Sequence, residues 1–290
     1  MIVIGGGVAG LSGGTTLARA GRRVLVVDSG HPRNAPASGV HGFLTRGGIA
    51  PRELLAIGRA ELAGYGGRLV EGTVTSARRI DGGFTVELAD GTSAQGARLL
   101  VATGLTDELP EVSGLAERWG REVVHCPYCH GYEVRDDRLA VLGTGPMSVE
   151  QALLWRGWCE DVTLLLNDAV VPTGEQVEQL AARDVSVVEG KVDALVVEHD
   201  RLTGARLSGG TTVPIAALAL ATGLRARADV LADLGLRPVE AEMRGLVLGS
   251  RVDADPTGAT AIPGVWVAGN VTSVLERSSP PQQVARWPRR

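Results

Sequence analysis

The sequence predicts an α/β protein of two three-layer domains built on parallel sheets, the second inserted in the first. Three observations carry this. A short apolar strand, a glycine turn and a helical stretch follow one another twice, from Ile2 and again from Leu139. An apolar strand closes each half on the same tripeptide, Ala102-Thr103-Gly104 and Ala221-Thr222-Gly223. Composition agrees: 40 glycines with 44% hydrophobic but only 3% aromatic residues suit aliphatic strands between tight turns. A repeat period far above 50 residues means two copies of one fold rather than a solenoid. At 290 residues each copy has enough chain for its own core.

In order along the chain, strand Ile2–Ile4 runs through glycines into a helix near 8–20, then strand 23–27 ends at Asp28. The stretch from Gly30 to Pro51 is rich in Gly, Pro, Asn and His and predicts a long loop; 51–64 predicts a helix. Alternating segments at 70–77, 84–88 and 97–101 predict strands, with a hairpin turn at Ala89-Asp90-Gly91. The second unit places a strand at 139–142, a helix at 147–158 and a strand at 162–166. Polar segments near 107–120 and 224–245 read as linkers. The expected domains are residues 1–113 with 240–290, and the inserted 114–239.

Charge and cysteine usage narrow the class. A net charge of −4, with scattered arginines and Lys191 as the sole lysine, argues against a nucleic-acid surface. No run has the length of a membrane span, and the opening strand lacks the pattern of a signal peptide, so the cytoplasm is the expected compartment. There, three cysteines do not suggest a structural disulfide framework.

Two motifs carry chemistry. Gly5-Gly6-Gly7-Val8-Ala9-Gly10 satisfies G-x-G-x-x-G between strand and helix, the Rossmann-like turn. Gly5 permits the turn, Gly7 lets the backbone approach a pyrophosphate, and Gly10 lets helix pack on strand; Asp28, eighteen residues on, is placed to bond a ribose diol. The sharper feature is His125-Cys126-Pro127-Tyr128-Cys129-His130. Two thiols separated by two residues can form a redox couple, and His130 is placed to move their proton. A zinc site and a pair of inert buried cysteines are the competing readings. Zinc lacks a second ligand pair, since His125 and His130 cannot easily close a tetrahedron over so short a span, and no metal is expected. Cys-Pro-Tyr-Cys also occurs in glutaredoxins, but there it opens a small domain rather than preceding a second nucleotide-type fold.

Over nearly its whole length the chain resembles the low-molecular-weight thioredoxin reductases. In that family an FAD domain is interrupted by a domain with C-x-x-C ahead of a second glycine turn, here Gly143-Thr144-Gly145-Pro146-Met147-Ser148. The resemblance implies FAD as cofactor, held at Gly5, Gly7, Gly10, Asp28, Thr103, Gly104, Gly269 and Asn270. A second nucleotide site would lie at Gly143, Gly145 and Ser148. It further implies Cys129 stacked on the flavin, Cys126 exchanging with substrate, His130 where the reductases have an acidic proton donor, and a homodimer. His31 and His41, in the long loop, are candidates for cofactor contact. Cys159, Trp155 and Trp158 read as packing, and His199 as a solvated turn residue.

The departures from the family pattern matter. After the second strand of the inserted fold stands Leu164-Leu165-Leu166-Asn167-Asp168, without the cations that hold the 2′-phosphate of NADPH; Asp168 could hold the ribose of NADH. Cys-Pro-Tyr-Cys-His resembles flavin-dependent dithiol oxidases, which pass electrons from dithiol to flavin without nicotinamide. Asn270 stands in for an aspartate. Beyond it, Pro280-Pro281 and Pro288 interrupt the stretch where the family has a helix capping the flavin. Three functions follow: dithiol oxidation with a small-molecule dithiol, NAD(P)H-dependent reduction with a thioredoxin-like partner, or a degenerate flavoprotein with impaired FAD binding.

Overall fold

The computed structural model describes residues 1–243 and 245–274. The proline-bearing end at 280, 281 and 288 lies outside the described residues. The chain divides into two compact units, one of residues 1–35, 43–107 and 224–290, the other of 36–42 and 108–223. The inserted unit thus begins six residues and ends sixteen residues earlier than the linkers suggest. The reason is that those polar segments are structured. Strands Leu105–Glu108 and Gly223–Ala226 join Val239–Met243 and Leu246–Arg251 in one four-stranded sheet.

The first unit is a five-stranded parallel sheet ordered Val265–Val267, Leu99–Val101, Ile2–Ile4, Leu25–Asp28, Arg68–Glu71. Because side chains alternate across a strand, Val3 and Val26 pack on one face with Leu11, Leu55 and Leu62 of the helices Val8–Arg19 and Pro51–Gly64. Ile2, Ile4 and Val27 pack on the other face with Phe84 and Val86. Those last two belong to an antiparallel meander of Val74–Ile80, Gly83–Leu88 and Ser93–Gly96. Helices, parallel sheet and meander are the three layers. The expected single strand at 70–77 is in fact two, because Arg68–Glu71 edges the parallel sheet while Val74–Ile80 starts the meander. Gly72 lies at the break, where a Cβ would come within 2.6 Å of Leu88.

The second unit repeats the plan. Its parallel sheet is ordered Val185–Val188, Val162–Leu165, Leu139–Leu142, Ala217–Ala219, Val123–Val124. Leu139 and Val141 face Val149, Ala152 and Trp155 of helix Ser148–Trp155. Ala140 and Leu142 face Leu195, Leu202 and Ala205 of a meander formed by Val192–Glu198, Arg201–Leu207 and Thr212–Pro214. That helix is shorter than the expected 147–158, since turn hydrogen bonds from Gly157 and Trp158 to Leu154 and Trp155 close it.

Candidate functional site

In the first glycine turn, each glycine answers a different steric demand. Gly5 has φ 103°, and a Cβ there would stand 2.4 Å from the Ala102 carbonyl oxygen. A Cβ on Gly10 would stand 1.9 Å from the Gly5 carbonyl oxygen, so helix and turn touch backbone to backbone. Gly7 is different: nothing lies within 4 Å of its Cβ position. It caps a twelve-residue helix with no acidic residue in its first turn, leaving N–H groups and the positive end of the dipole toward open space. That arrangement fits the pyrophosphate of FAD.

Asp28 is buried and ties the turn together. Its Oδ1 accepts the Gly6 N–H at 3.0 Å and its Oδ2 accepts from Arg59 at 2.8 Å. Each oxygen keeps a lone pair for a ribose hydroxyl. Gly6, which the motif leaves unspecified, is as constrained as the named glycines, since its Cβ would meet the Asp28 side chain at 2.7 Å. Thr103 donates to the Arg227 carbonyl and the Gly104 carbonyl accepts from the Arg227 N–H, so this pair also anchors the returning chain. Gly269 has φ 75°, and a Cβ there would stand 2.8 Å from the Ala9 side chain; Asn270 donates to the Ser273 carbonyl.

In the other unit, Cys126 precedes the four-residue helix Pro127–His130, and the Cys126 and Cys129 sulfurs lie 2.8 Å apart. The turn is tight because the Cys129 and His130 N–H groups both donate to the Cys126 carbonyl, at 3.1 Å each. Gly131 continues it, where a Cβ would strike Pro127 and Trp158. Tyr128 stands between the cysteines, half exposed, its ring edge-on to Trp158 at 5.0 Å. Burial lowers the pKa of His130 below its ordinary value, against opposing contributions from Glu133 and the Cys126 backbone. Its Nδ1 is buried without a hydrogen-bond partner.

A cavity of about 280 Å³ opens beside His130, lined also by His41, Glu122, Glu133 and Arg121. His41 therefore belongs to the redox unit, its Nε2 3.3 Å from Glu133, while His31 is exposed on the first unit. The sequence offers both as candidates for cofactor contact and does not single out Glu122 or Glu133. No local signal marks those two, because packing of residues 36–42 against the inserted fold makes the cavity. Cys159 is buried and donates to the Val134 carbonyl at 3.2 Å, and burial pushes its thiol up to about 11. His199 is exposed at a left-handed turn, as expected.

The second glycine turn is laced from within. Ser148 is buried and accepts the Thr144 N–H at 3.1 Å, and Thr144 donates to the Ala221 carbonyl. Asn167, at φ 53°, donates to the Gly143 carbonyl and accepts from the Val192 N–H, both at 2.9 Å. Gly145 faces open space and Asp168 is exposed. Among the described residues no acidic, His or Cys cluster could hold a metal ion, and no helix is long and apolar enough to cross a membrane.

Two dinucleotide-type folds and a vicinal sulfur pair define a flavin- and nucleotide-linked disulfide oxidoreductase architecture. The chain belongs to the pyridine nucleotide-disulphide oxidoreductases, whose family model matches residues 1–287. The crystal structure of HlmI superposes with a TM-score of 0.86 at 43% identity, over 95% of this chain and 85% of that one. An oxidoreductase from Agrobacterium tumefaciens superposes at 0.87 and 37% identity, over 96% and 91%. The thioredoxin reductase tcpT of Claviceps purpurea is 37% identical over 158 residues, 52% of this chain and 49% of that protein. The chain spans about half the length, or less, of this and the next such relative. FAD is the family's cofactor.

Proposed function

We propose that the protein is an FAD-dependent thiol/disulfide oxidoreductase that oxidises a small dithiol to its disulfide through Cys126 and Cys129. The observation that carries this reading is the sulfur pair 2.8 Å apart on a turn shared with a half-buried imidazole. Gly5, Gly7, Gly10, Asp28, Thr103, Gly104, Gly269 and Asn270 would hold FAD. When bound, FAD supplies an acceptor for the electron pair, which then passes to oxygen or another oxidant. The residues do the rest. A substrate thiol gives its proton to His130 and attacks Cys126 of the oxidised pair. The S–S bond breaks, leaving Cys129 as a thiolate. The second substrate thiol then attacks the substrate sulfur bonded to Cys126. The new S–S bond closes as the S–Cys126 bond breaks, and the thiol's proton goes to the departing Cys126 sulfur. This leaves a substrate disulfide and a Cys126 thiol/Cys129 thiolate pair that has gained two electrons. A neutral His130 suits the role of base, and burial favours that form.

The inserted fold supports this direction of flow. Where a 2′-phosphate would need a cation, the chain has Asn167 tied to backbone and an exposed Asp168. The name of the Claviceps purpurea relative favours the opposite direction, NAD(P)H-dependent reduction of a thioredoxin-like protein. Anaerobic mixing of the FAD-loaded protein with dithiothreitol, NADPH and NADH separates the two. We expect dithiothreitol to bleach the flavin band, and Cys129→Ser to stop it. Fast bleaching by NADPH would reverse the assignment. We place the protein in the cytoplasm, from the sequence pattern, and as a homodimer, from the resemblance.

A further inference from the structure

We propose that Trp158 is a positioning residue for the redox pair: its indole holds the Cys126–Cys129 turn in the shape that closes the disulfide, and so sets how readily the pair accepts electrons. This rests on the reading of Cys126 and Cys129 as that pair and holds for either direction of flow.

The segment from Ser148 to Cys159 touches the redox turn before, within and after its cysteines. Ahead of the turn, Gln151 of the helix Ser148–Trp155 donates to the carbonyl of His125, next to Cys126, at 3.4 Å. Within it, the Tyr128 ring stands edge-on to Trp158, with centroids 5.0 Å apart, a geometry in which aromatic rings attract. Behind it, Trp158 lies so close to Gly131 that a Cβ there would come within 2.5 Å of the indole. One residue past Trp158, Cys159 donates to the Val134 carbonyl at 3.2 Å. The indole is itself held. The fully buried Trp155 ring meets it at 6.5 Å, and the Trp158 N–H of the backbone donates to the Trp155 carbonyl at 2.8 Å. Half-buried Trp158 thus joins the core of its unit to the turn.

Closing a disulfide costs the entropy of bringing two thiols together, and a turn that already does so favours the oxidised form. The four-residue helix Pro127–His130 cannot hold that shape alone, since a single helical turn is unstable in isolation. Yet the Cys126 and Cys129 sulfurs lie 2.8 Å apart. Support comes from outside the turn, and the Trp158 contacts are those that reach its middle and its end. Removing the indole lets the reduced turn relax. Closure then costs more, and the pair becomes easier to reduce.

Anaerobic equilibration of the FAD-loaded protein in graded mixtures of reduced and oxidised dithiothreitol tests this. The two protein thiols give two electrons and two protons to oxidised dithiothreitol, which becomes the dithiol as the Cys126–Cys129 bond forms. Acid quenching, denaturation, alkylation and intact mass then separate the oxidised pair from the reduced one. Trp158→Ala should shift the equilibrium about tenfold toward the reduced pair, about 30 mV. Trp158→Phe, which keeps a ring against Gly131, should restore most of it. Tyr128→Ala removes the other ring from an exposed position, so the test stands even where Trp158→Ala does not fold. It should shift the equilibrium the same way by about two- to tenfold, the worth of an edge-on aromatic pair. Val185→Ala opens the same core on the opposite edge of the sheet from Val123–Val124. It should lower the thermal midpoint and leave the thiol equilibrium in place. An equilibrium is blind to access, so lost shielding of the sulfurs cannot imitate the shift. No shift in Trp158→Ala and Tyr128→Ala, a shift toward the oxidised pair, or an equal shift in Val185→Ala overturns the proposal and leaves the redox pair standing. A wild-type pair that forms no disulfide in any mixture overturns both.

Discussion

Three cysteines in one chain behave differently because their surroundings differ. Cys159 is sealed under Trp155 and Val134, and burial, with Asp137 and Asp136 adding to it, holds its pKa near 11. Only the thiolate reacts. Iodoacetamide at pH 8 should therefore modify the reduced native protein at Cys126 and Cys129 alone, and reach Cys159 only after denaturation. Intact-mass analysis counts the adducts; a third on the native protein would contradict the burial argument. His130 makes a second test. Its folded pKa lies below the ordinary value of about 6.5, because burial penalises the cation while Glu133 partly restores it. The neutral base is lost as pH falls through that lowered pKa. Removing the Glu133 charge lowers it further, so Glu133→Gln should move the acidic limb of dithiol-driven flavin reduction to lower pH. Stopped-flow rates between pH 4.5 and 8 would show it, and a limb moving upward would refute the sign.

At the scale of the element, the opening turn separates folding from binding within one motif. Gly10→Ala must drive a Cβ into the Gly5 carbonyl at 1.9 Å, and overpacking against backbone costs about 1–3 kcal/mol or more. A lowered thermal midpoint should register it. Gly7→Ala meets no atom within 4 Å, and Gly7 already has the extended φ of −72°. That variant should fold normally by circular dichroism yet hold FAD at least about tenfold more weakly, since the methyl occupies the pyrophosphate's approach. Equal flavin content in the Gly7 variant and wild type would discredit the site. Asn167 stabilises the second turn in another way, with two hydrogen bonds from a left-handed residue. Asn167→Ala should cost about 1–3 kcal/mol in denaturant unfolding, for the lost bonds and the strained φ.

For the molecule as a whole, two copies of one plan have come to differ in their turns. Both glycine turns face open space, at Gly7 and at Gly145. The second spends its Thr144 N–H on Ser148 and stations Asn167 where a phosphate clamp would be. Gly145→Ala is sterically free and tests whether the second turn takes part. If electrons enter from a dithiol, the substitution should leave dithiothreitol-driven bleaching unchanged. If they enter from NADPH, bleaching by that donor should slow. Rapid-scan spectra of the variant and wild type with each donor decide it.

Much of this was legible in linear order, and the reason is local. The G-x-G-x-x-G turn, the helix at 51–64, the hairpin at 89–91 and the Cys126/Cys129 spacing all depend on near neighbours, so residue type and period report them. What depended on distant partners was not. The break at Gly72 follows from two strands joining different sheets. The linkers become strands because a separate sheet pairs them. His41 meets Glu133 only because a seven-residue excursion of the long loop packs on the inserted fold. The chemistry available to this protein is thus written in short motifs. Which groups share a cavity depends on contacts across tens of residues that only tertiary packing brings about.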